Sequence, residues 1–135
     1  MSKQVLIISS SPRKGGNSDT LCDQFLKGAA EAGNRVEKIR LADLKIDYCS
    51  ACYACKTTGR CVKRDEMEQI IEKMRDADVI VLATPVYFYT MCAQMKTMID
   101  RTLGGAQTSG LENKEFYLIA TAADGKAAME RTVDG

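Results

Sequence analysis

The sequence predicts an α/β fold, a doubly wound open parallel sheet with helices on both faces. Three observations carry this expectation. Short apolar runs recur at residues 5–8, 79–84 and 116–120 and read as strands, the first with the mark of a strand buried on both faces. Between them apolar residues return at helical spacing, and strands that alternate with helices of this length imply crossover connections and a parallel sheet. The 135 residues are 45% hydrophobic and 27% charged, the composition of one globular domain, read as residues 1–135.

Taken in order, Val5, Leu6, Ile7 and Ile8 make the first strand, closed by a Ser-rich polar loop. Leu21, Phe25, Leu26 and Ala29 follow at helical spacing, with Asn17 and Ser18 as expected caps and Gly33-Asn34 as the stop. Val36, Ile39 and Leu41 give a weaker second strand. Asp65 and Glu68 read as a capping box for a helix whose apolar face is Met67, Ile70, Ile71 and Met74. Residues 78–84 form the strongest strand, which Pro85 is expected to end because it lacks a backbone donor. Met91, Met95, Met98, Ile99 and Thr102 then line a third helix, closed by Gly104-Gly105. Phe116, Tyr117, Leu118, Ile119 and Ala120 form a fourth strand, and Ala127, Ala128 and Met129 open a fourth helix. In such a sheet ligands bind beyond the carboxyl ends of the strands, so the loops at residues 9–18, 85–89 and 121–125 should share one crevice.

Charge and composition exclude several classes of function. With 19 Lys+Arg against 18 Asp+Glu the net charge is +1, which leaves no electrostatic footprint for nucleic acid or an anionic membrane. The apolar runs are far shorter than the roughly 20 residues of a membrane helix, and no export signal follows Met1, so a cytoplasmic location is expected. The chain has no histidine, which removes imidazole triads, relays and ligands. Six cysteines, four of them clustered, then argue for thiolates that bind metal or do redox work.

The loop after the first strand contains Ser9, Ser11, Arg13, Gly15, Gly16, Asn17 and Ser18. It offers hydroxyls, a guanidinium, glycines that free backbone amides and a helix N-terminus, a set that favours a phosphomonoester. A solvated polar loop with helix caps is the plainer alternative. No Gly-Lys-Ser/Thr ending, no G-x-G-x-x-G and no Cys-x5-Arg is present, which disfavours nucleotide hydrolysis, a dinucleotide fold and a cysteine phosphatase. The second loop, Thr84, Pro85, Val86, Tyr87, Phe88 and Tyr89, packs three of the chain's eight aromatic residues into one turn. Such a turn can hold a flat ring. It can equally fill a core or a subunit interface.

Residues 11–18, the cysteine segment 49–61, residues 65–67, Thr84-Pro85-Val86-Tyr87-Phe88 and residues 96–101 together resemble the NAD(P)H-dependent FMN reductases and iron-sulfur flavoproteins of the flavodoxin-like superfamily. The resemblance implies FMN, with Ser9, Ser11, Arg13, Asn17 and Ser18 around its phosphate and Thr84, Pro85, Val86, Tyr87 and Phe88 along the isoalloxazine. Thr121 and Gly125 would then lie near the pyrimidine edge. It also implies a strand order of 2-1-3-4. Members of the superfamily continue with one further strand and helix, expected to be missing here, so residues 116–120 should form an exposed apolar edge. A homo-oligomer or a covering partner is the consequence.

Cys49-x2-Cys52-x2-Cys55-x5-Cys61 lies in a cysteine-rich insert at residues 48–64. Three thiolates on one tight loop and a fourth after the turn at Gly59 suit a cubane 4Fe–4S cluster, and the spacing looks like the compact motif of iron-sulfur flavoproteins. A four-cysteine zinc site and bare thiols stand as alternatives. Cys22 and Cys92 read as packed small hydrophobes. The expected function is an FMN-dependent oxidoreductase that takes electrons from NAD(P)H or a ferredoxin-type donor and passes them to a small-molecule or protein acceptor. A non-catalytic electron carrier or four-cysteine metal module with a vestigial flavin site is the competing reading.

Overall fold

The computed structural model describes residues 2–106, 110–123 and 125–134. Strand β1 (Gln4–Ser9) leads to helix α1 (Asn17–Glu31), β2 (Arg35–Arg40), a 3-10 turn at Leu41–Asp43, and a short helix α2 (Cys55–Thr58) inside the cysteine loop. Then come α3 (Met67–Asp76), β3 (Val79–Tyr87), β4 (Thr90–Met91), α4 (Ala93–Arg101), the short α5 (Leu103–Ala106), β5 (Glu115–Thr121) and α6 (Lys126–Asp134). The sheet runs β2-β1-β3-β5, all parallel, and β4 folds back antiparallel on the end of β3. This is the expected topology, with the expected fourth strand appearing as β5.

The alternation of side chains along β1 and β3 divides the interior into two layers. Leu6, Ile8 and Ile80 face a core made with Met67, Ile70 and Met74 of α3 and Met95 and Met98 of α4. Val5, Ile7, Val79 and Val81 face the other way, onto Cys22, Phe25 and Leu26 of α1. Burying roughly a Leu or Ile side chain contributes about 1.5–3 kcal/mol, so these two layers supply the main driving force for the sheet. Cys22 and Cys92 are both buried as packed residues, and burial raises the Cys22 thiol to about 11.

Four local expectations need correction. Asn17 and Ser18 do not cap α1; they are its first residues, Gly16 holds the cap position, and no described side chain caps the helix. Asp65 and Glu68 form no reciprocal box, because Asp65 turns to Arg101 while Glu68 pairs with Arg60 and Arg64. Pro85 does not end β3. The Ala83 carbonyl accepts from Ser10, so it points toward β1, and Pro85, two residues on, faces the same side. There β1 has already ended at Ser9 opposite Ala83, so no strand bond needs the missing N–H. Finally, Met91 belongs to β4 rather than to α4, and Gly104 and Gly105 lie within α5 instead of ending a helix.

Strand β5 pairs only with β3 among the described residues, so its outer edge is open. Phe116, Tyr117 and Leu118 on it are each about half exposed. The Lys114 ammonium does not guard this edge: it donates to the carbonyls of Arg75 at 2.9 Å and Ala77 at 2.6 Å, closing the end of α3. An apolar groove of about 280 Å³, lined by Met95, Ile99, Leu118 and Val133, runs beside the strand. Such an edge is a template for pairing with another chain. At tens of micromolar the 135-residue chain should scatter light as an associated species, and Leu118→Lys should move it toward monomer; a stable wild-type monomer would show that the edge is tolerated in solvent.

Candidate functional site

The parallel sheet sets the carboxyl ends of β1, β3 and β5 side by side, and two irregular segments grow from them. After β1 the chain turns at Ser10, whose amide and hydroxyl both donate to the Ala83 carbonyl, at 3.0 and 2.6 Å. The Ser11 hydroxyl accepts from the Arg13 amide at 3.1 Å and donates to the Arg13 carbonyl at 3.2 Å, while the Gly16 amide closes onto that carbonyl at 3.2 Å. Gly15 has φ +73°, a left-handed geometry that favours glycine, and a Cβ on Gly16 would sit 3.3 Å from the Arg13 oxygen. The chain thus curls tightly over the first turn of α1.

Asp19 fixes that curl from behind. One of its oxygens accepts from the Ser9 hydroxyl at 2.9 Å and pairs with Lys38 at 2.8 Å. The other accepts from the Gly15 amide at 2.9 Å and from Arg40 at 3.1 Å. Burial works to raise the Asp19 pKa, but Lys38, the Gly15 amide and Ser9 outweigh it and hold the carboxyl well below the usual range. Ser9 is therefore turned toward Asp19, behind the loop. Ser11 and Ser18 are buried at the mouth of the helix, and Arg13 and Asn17 are exposed above it. The Ser18 hydroxyl is buried with no hydrogen-bond partner in the structure. A buried orphan hydroxyl at an uncapped helix N-terminus fits an anion such as a phosphate.

At the end of β3, Val86 pairs with Met91 and Tyr87 with Thr90, leaving Phe88 and Tyr89 as a two-residue hairpin loop. Both have positive φ, +49° and +67°, the pair that a type I′ turn requires. Bulky residues adopt that geometry at a cost of order 1–3 kcal/mol each, and such strain concentrates at functional sites. The Thr84 hydroxyl accepts from the Cys92 amide at 3.0 Å and donates to the Pro85 carbonyl at 2.8 Å, so it braces the hairpin. The Cys92 thiol, 3.2 Å from the Ser10 hydroxyl, ties the start of α4 to the first loop. Pro85 is buried opposite Thr121, Val86 is half-buried, Tyr87 is exposed, and Phe88 stands out at 92% exposure against the edge of Tyr89. Thr121 and Gly125 flank the third loop; Asp124 between them lies outside the described residues.

The cysteine loop is clamped at its base. Lys45 and Glu66 exchange hydrogen bonds, the Asp47 amide donates to Asp65 at 2.9 Å, and Arg101 donates to the Asp47 carbonyl at 2.8 Å. Above the clamp Cys49, Cys52, Cys55 and Cys61 all line one small pocket of about 30 Å³. The Cys49 sulfur accepts the Ala51 amide at 3.5 Å and the Cys61 sulfur accepts the Lys63 amide at 3.4 Å. A hydrogen bond from the Ala54 amide lowers the Cys52 pKa. Ala51 and Tyr53 have φ near +56° and +55°, which curls the backbone around the sulfurs. Among the described residues no three Cys, Asp or Glu converge closely enough to hold a single metal ion. The four cysteines meet only as part of the lining of that small pocket. Three residues that shape these sites were not singled out from the sequence as site residues: Asp19, Arg101, and Gly104, where a Cβ would lie 3.1 Å from that of Cys61.

A parallel sheet ordered β2-β1-β3-β5 with helices packed on both faces gives this chain a flavodoxin-like fold. More narrowly, it belongs to the NADPH-dependent FMN reductase family, whose model matches residues 4–134. It is 40% identical over 107 residues to an iron-sulfur flavoprotein of Archaeoglobus fulgidus, covering 79% of this chain and 49% of that protein. It is 37% identical over 130 residues to an iron-sulfur flavoprotein of Methanocaldococcus jannaschii, covering 96% and 67% of the two. The chain therefore spans about half to two thirds of the length of these relatives. The NAD(P)H:quinone oxidoreductase of Methanothermobacter marburgensis shares the fold with a TM-score of 0.77 at 17% identity, over 96% of this chain and 69% of that one.

The clamp yields a pH test. Arg101 holds the Asp65 carboxyl down at about 2, against an ordinary 3.8. A carboxyl depressed on folding stabilises the protein above its unfolded pKa and loses that contribution as pH falls through the folded value. Asp65→Asn should therefore cost on the order of 2 kcal/mol at pH 7. In denaturant melts the gap to wild type should close as pH falls from about 4 to 2; a constant gap over that range would assign the loss to something other than the charge.

Proposed function

We propose that this chain binds FMN and acts as an NAD(P)H-dependent flavin oxidoreductase of the iron-sulfur flavoprotein kind. Its electrons come from NAD(P)H or a ferredoxin-type donor and pass to a small-molecule or protein acceptor. The observation that carries the reading is the buried, unpartnered Ser18 hydroxyl at the uncapped start of α1. A phosphate seated there accepts from Ser18 and Ser11, from the first amides of the helix, and from the exposed Arg13 and Asn17 above them.

Bound FMN supplies the hydride and single-electron chemistry, which asks the protein for positioning and water exclusion rather than an acid or base, so the absence of histidine is no obstacle. Pro85, Val86, Tyr87 and Phe88 offer backbone and apolar surface to a flat ring beside the phosphate loop. Thr84 keeps that hairpin in place, and Thr121 and Gly125 border the ring's polar edge. Ser9 acts from behind through Asp19. Cys49, Cys52, Cys55 and Cys61 hold a 4Fe–4S cluster, supported by their shared pocket, their amide hydrogen bonds and the two iron-sulfur flavoproteins above. The open β5 edge supports a homo-oligomer.

Two measurements test this. FMN titrated into the chain and followed by its fluorescence should bind at least tenfold more weakly to Ser18→Ala and Arg13→Ala, since a hydrogen bond to a charged group contributes roughly 1.5–3 kcal/mol. Riboflavin, which lacks the phosphate, should not distinguish the variants from wild type; equal FMN affinity in all three proteins would remove this loop from the site. Protein prepared without air should carry four irons per chain and lose them in Cys52→Ser or Cys55→Ser, whereas one zinc and no iron would end the cluster reading.

A further inference from the structure

The four-cysteine pocket has one feature that thiolate ligation alone does not explain. Arg101, at the last turn of α4, lines that pocket with Cys49, Cys52, Cys55 and Cys61, and it is 3% exposed. A buried guanidinium is expensive unless paired, and this one is paired on one side only. Its two terminal nitrogens grip Asp65 at 2.7 and 3.0 Å, and one of them also donates to the Asp47 carbonyl. Its Nε–H is buried and has no acceptor. Cys61 and the guanidinium line the same wall of that pocket. Lys63 lines the pocket too, yet among the described residues no carboxylate holds its ammonium, while Asp100 on the rim is paired with Lys96. Arg101 is thus the cation fixed in place toward the thiols, with a donor unused.

We propose that Arg101 is a positioning residue of the four-cysteine site: clamped by Asp65 in the wall of the cysteine pocket, it offsets the negative charge of the thiolates and so raises both the metal affinity and the reduction potential of the group they hold. The proposal rests on the cluster reading above. The physical basis is general: reduction adds negative charge to an already anionic group, so a fixed neighbouring cation favours the reduced form, and charge and hydrogen bonds near the sulfurs set the potentials of such centres. Neither the bidentate Asp65 grip nor the base clamp needs the Nε–H, which leaves it free for a thiolate or a bridging sulfide.

The test uses the full chain prepared without air, in wild type, Arg101→Lys, Arg101→Gln and the double variant Arg101→Gln/Asp65→Asn. The double variant replaces the ion pair by neutral groups of similar shape and strands no buried carboxylate. After iron and sulfide analysis and a thermal melt, each protein is titrated reductively and the reduced cluster is followed by electron paramagnetic resonance. Wild type and Arg101→Lys should titrate together. The two Gln variants should shift by at least tenfold in the reduction equilibrium, about 59 mV downward for a one-electron couple, or, while folded, fail to retain iron that Arg101→Lys retains. A purely structural ion pair would lower the melting temperature and leave the potential where it was. An unchanged potential in a folded double variant with wild-type iron overturns the proposal, and so does an Arg101→Lys that falls with Arg101→Gln. If wild type takes no iron, the same comparison is made on Co²⁺ dissociation, expected at least tenfold weaker in the double variant. A wild type that binds neither iron nor Co²⁺ refutes the four-cysteine reading itself, and the role of Arg101 with it.

Discussion

Everything in this molecule follows from the burial of β1 and β3 on both faces. Ile7, Ile8, Ile80 and Val81 are fully buried, two on each side of the sheet, so helices must cover both sides. That requirement forces crossover connections, and crossovers put each strand-to-helix loop at the same edge of the sheet. The register Ser9 opposite Ala83 then decides which groups meet there. Ser10 lands on the Ala83 carbonyl and Cys92 on Thr84 and Ser10, so the start of the phosphate-type loop is tied to the base of the aromatic hairpin. The juxtaposition that suits a flavin is thus a by-product of how the core is closed.

Two buried carboxylates convert that edge into shaped sites. Asp19, in the first turn of α1, gathers Ser9, the Gly15 amide, Lys38 and Arg40, and so joins β1, the loop, α1 and β2 at one point. Asp65, just before α3, gathers the Asp47 and Met67 amides and the Arg101 guanidinium, and so joins both ends of the cysteine loop to α4. Each carboxylate is costly to desolvate and is offset by several charge-assisted partners, so removing any one partner leaves charge stranded. The effect is similar in the two places. An irregular segment that has little apolar surface of its own is tied to regular elements that do.

How much of this was legible in the sequence depended on whether the signal was periodic. The buried strands and the apolar faces of α3 and α4 follow directly from residue spacing, whereas on α1 the expected Leu21 is exposed and Cys22 is buried beside Phe25 and Leu26; the two loops and four cysteines could be singled out from residue type and position. What resisted was set by partners distant in the chain. Pro85 looks like a strand terminator until it is known that β1 has already ended on the side it faces. The β4 hairpin carries no Asn-Gly or Asp-Gly signal because Phe88 and Tyr89 take up the positive φ themselves. Asp65 reads as a cap when only Glu68 is in view, and as an anchor once Arg101, 36 residues away, is brought against it. Asp19 did leave a trace in the sequence: Lys38 and Arg40, two residues apart on β2, present two cations to one face of the sheet.

If residues 11–18 and the hairpin at residues 84–89 hold one flavin mononucleotide between them, and the cysteine loop is a separate centre, the two regions must respond differently to the flavin. Backbone amide NMR of the chain during an FMN titration tests this most directly. Saturable shifts with a single dissociation constant are expected for amides in residues 11–18 and 84–89, with unmoved amides in residues 49–61. Shifts confined to residues 49–61, or none that saturate at residues 11–18, would contradict it.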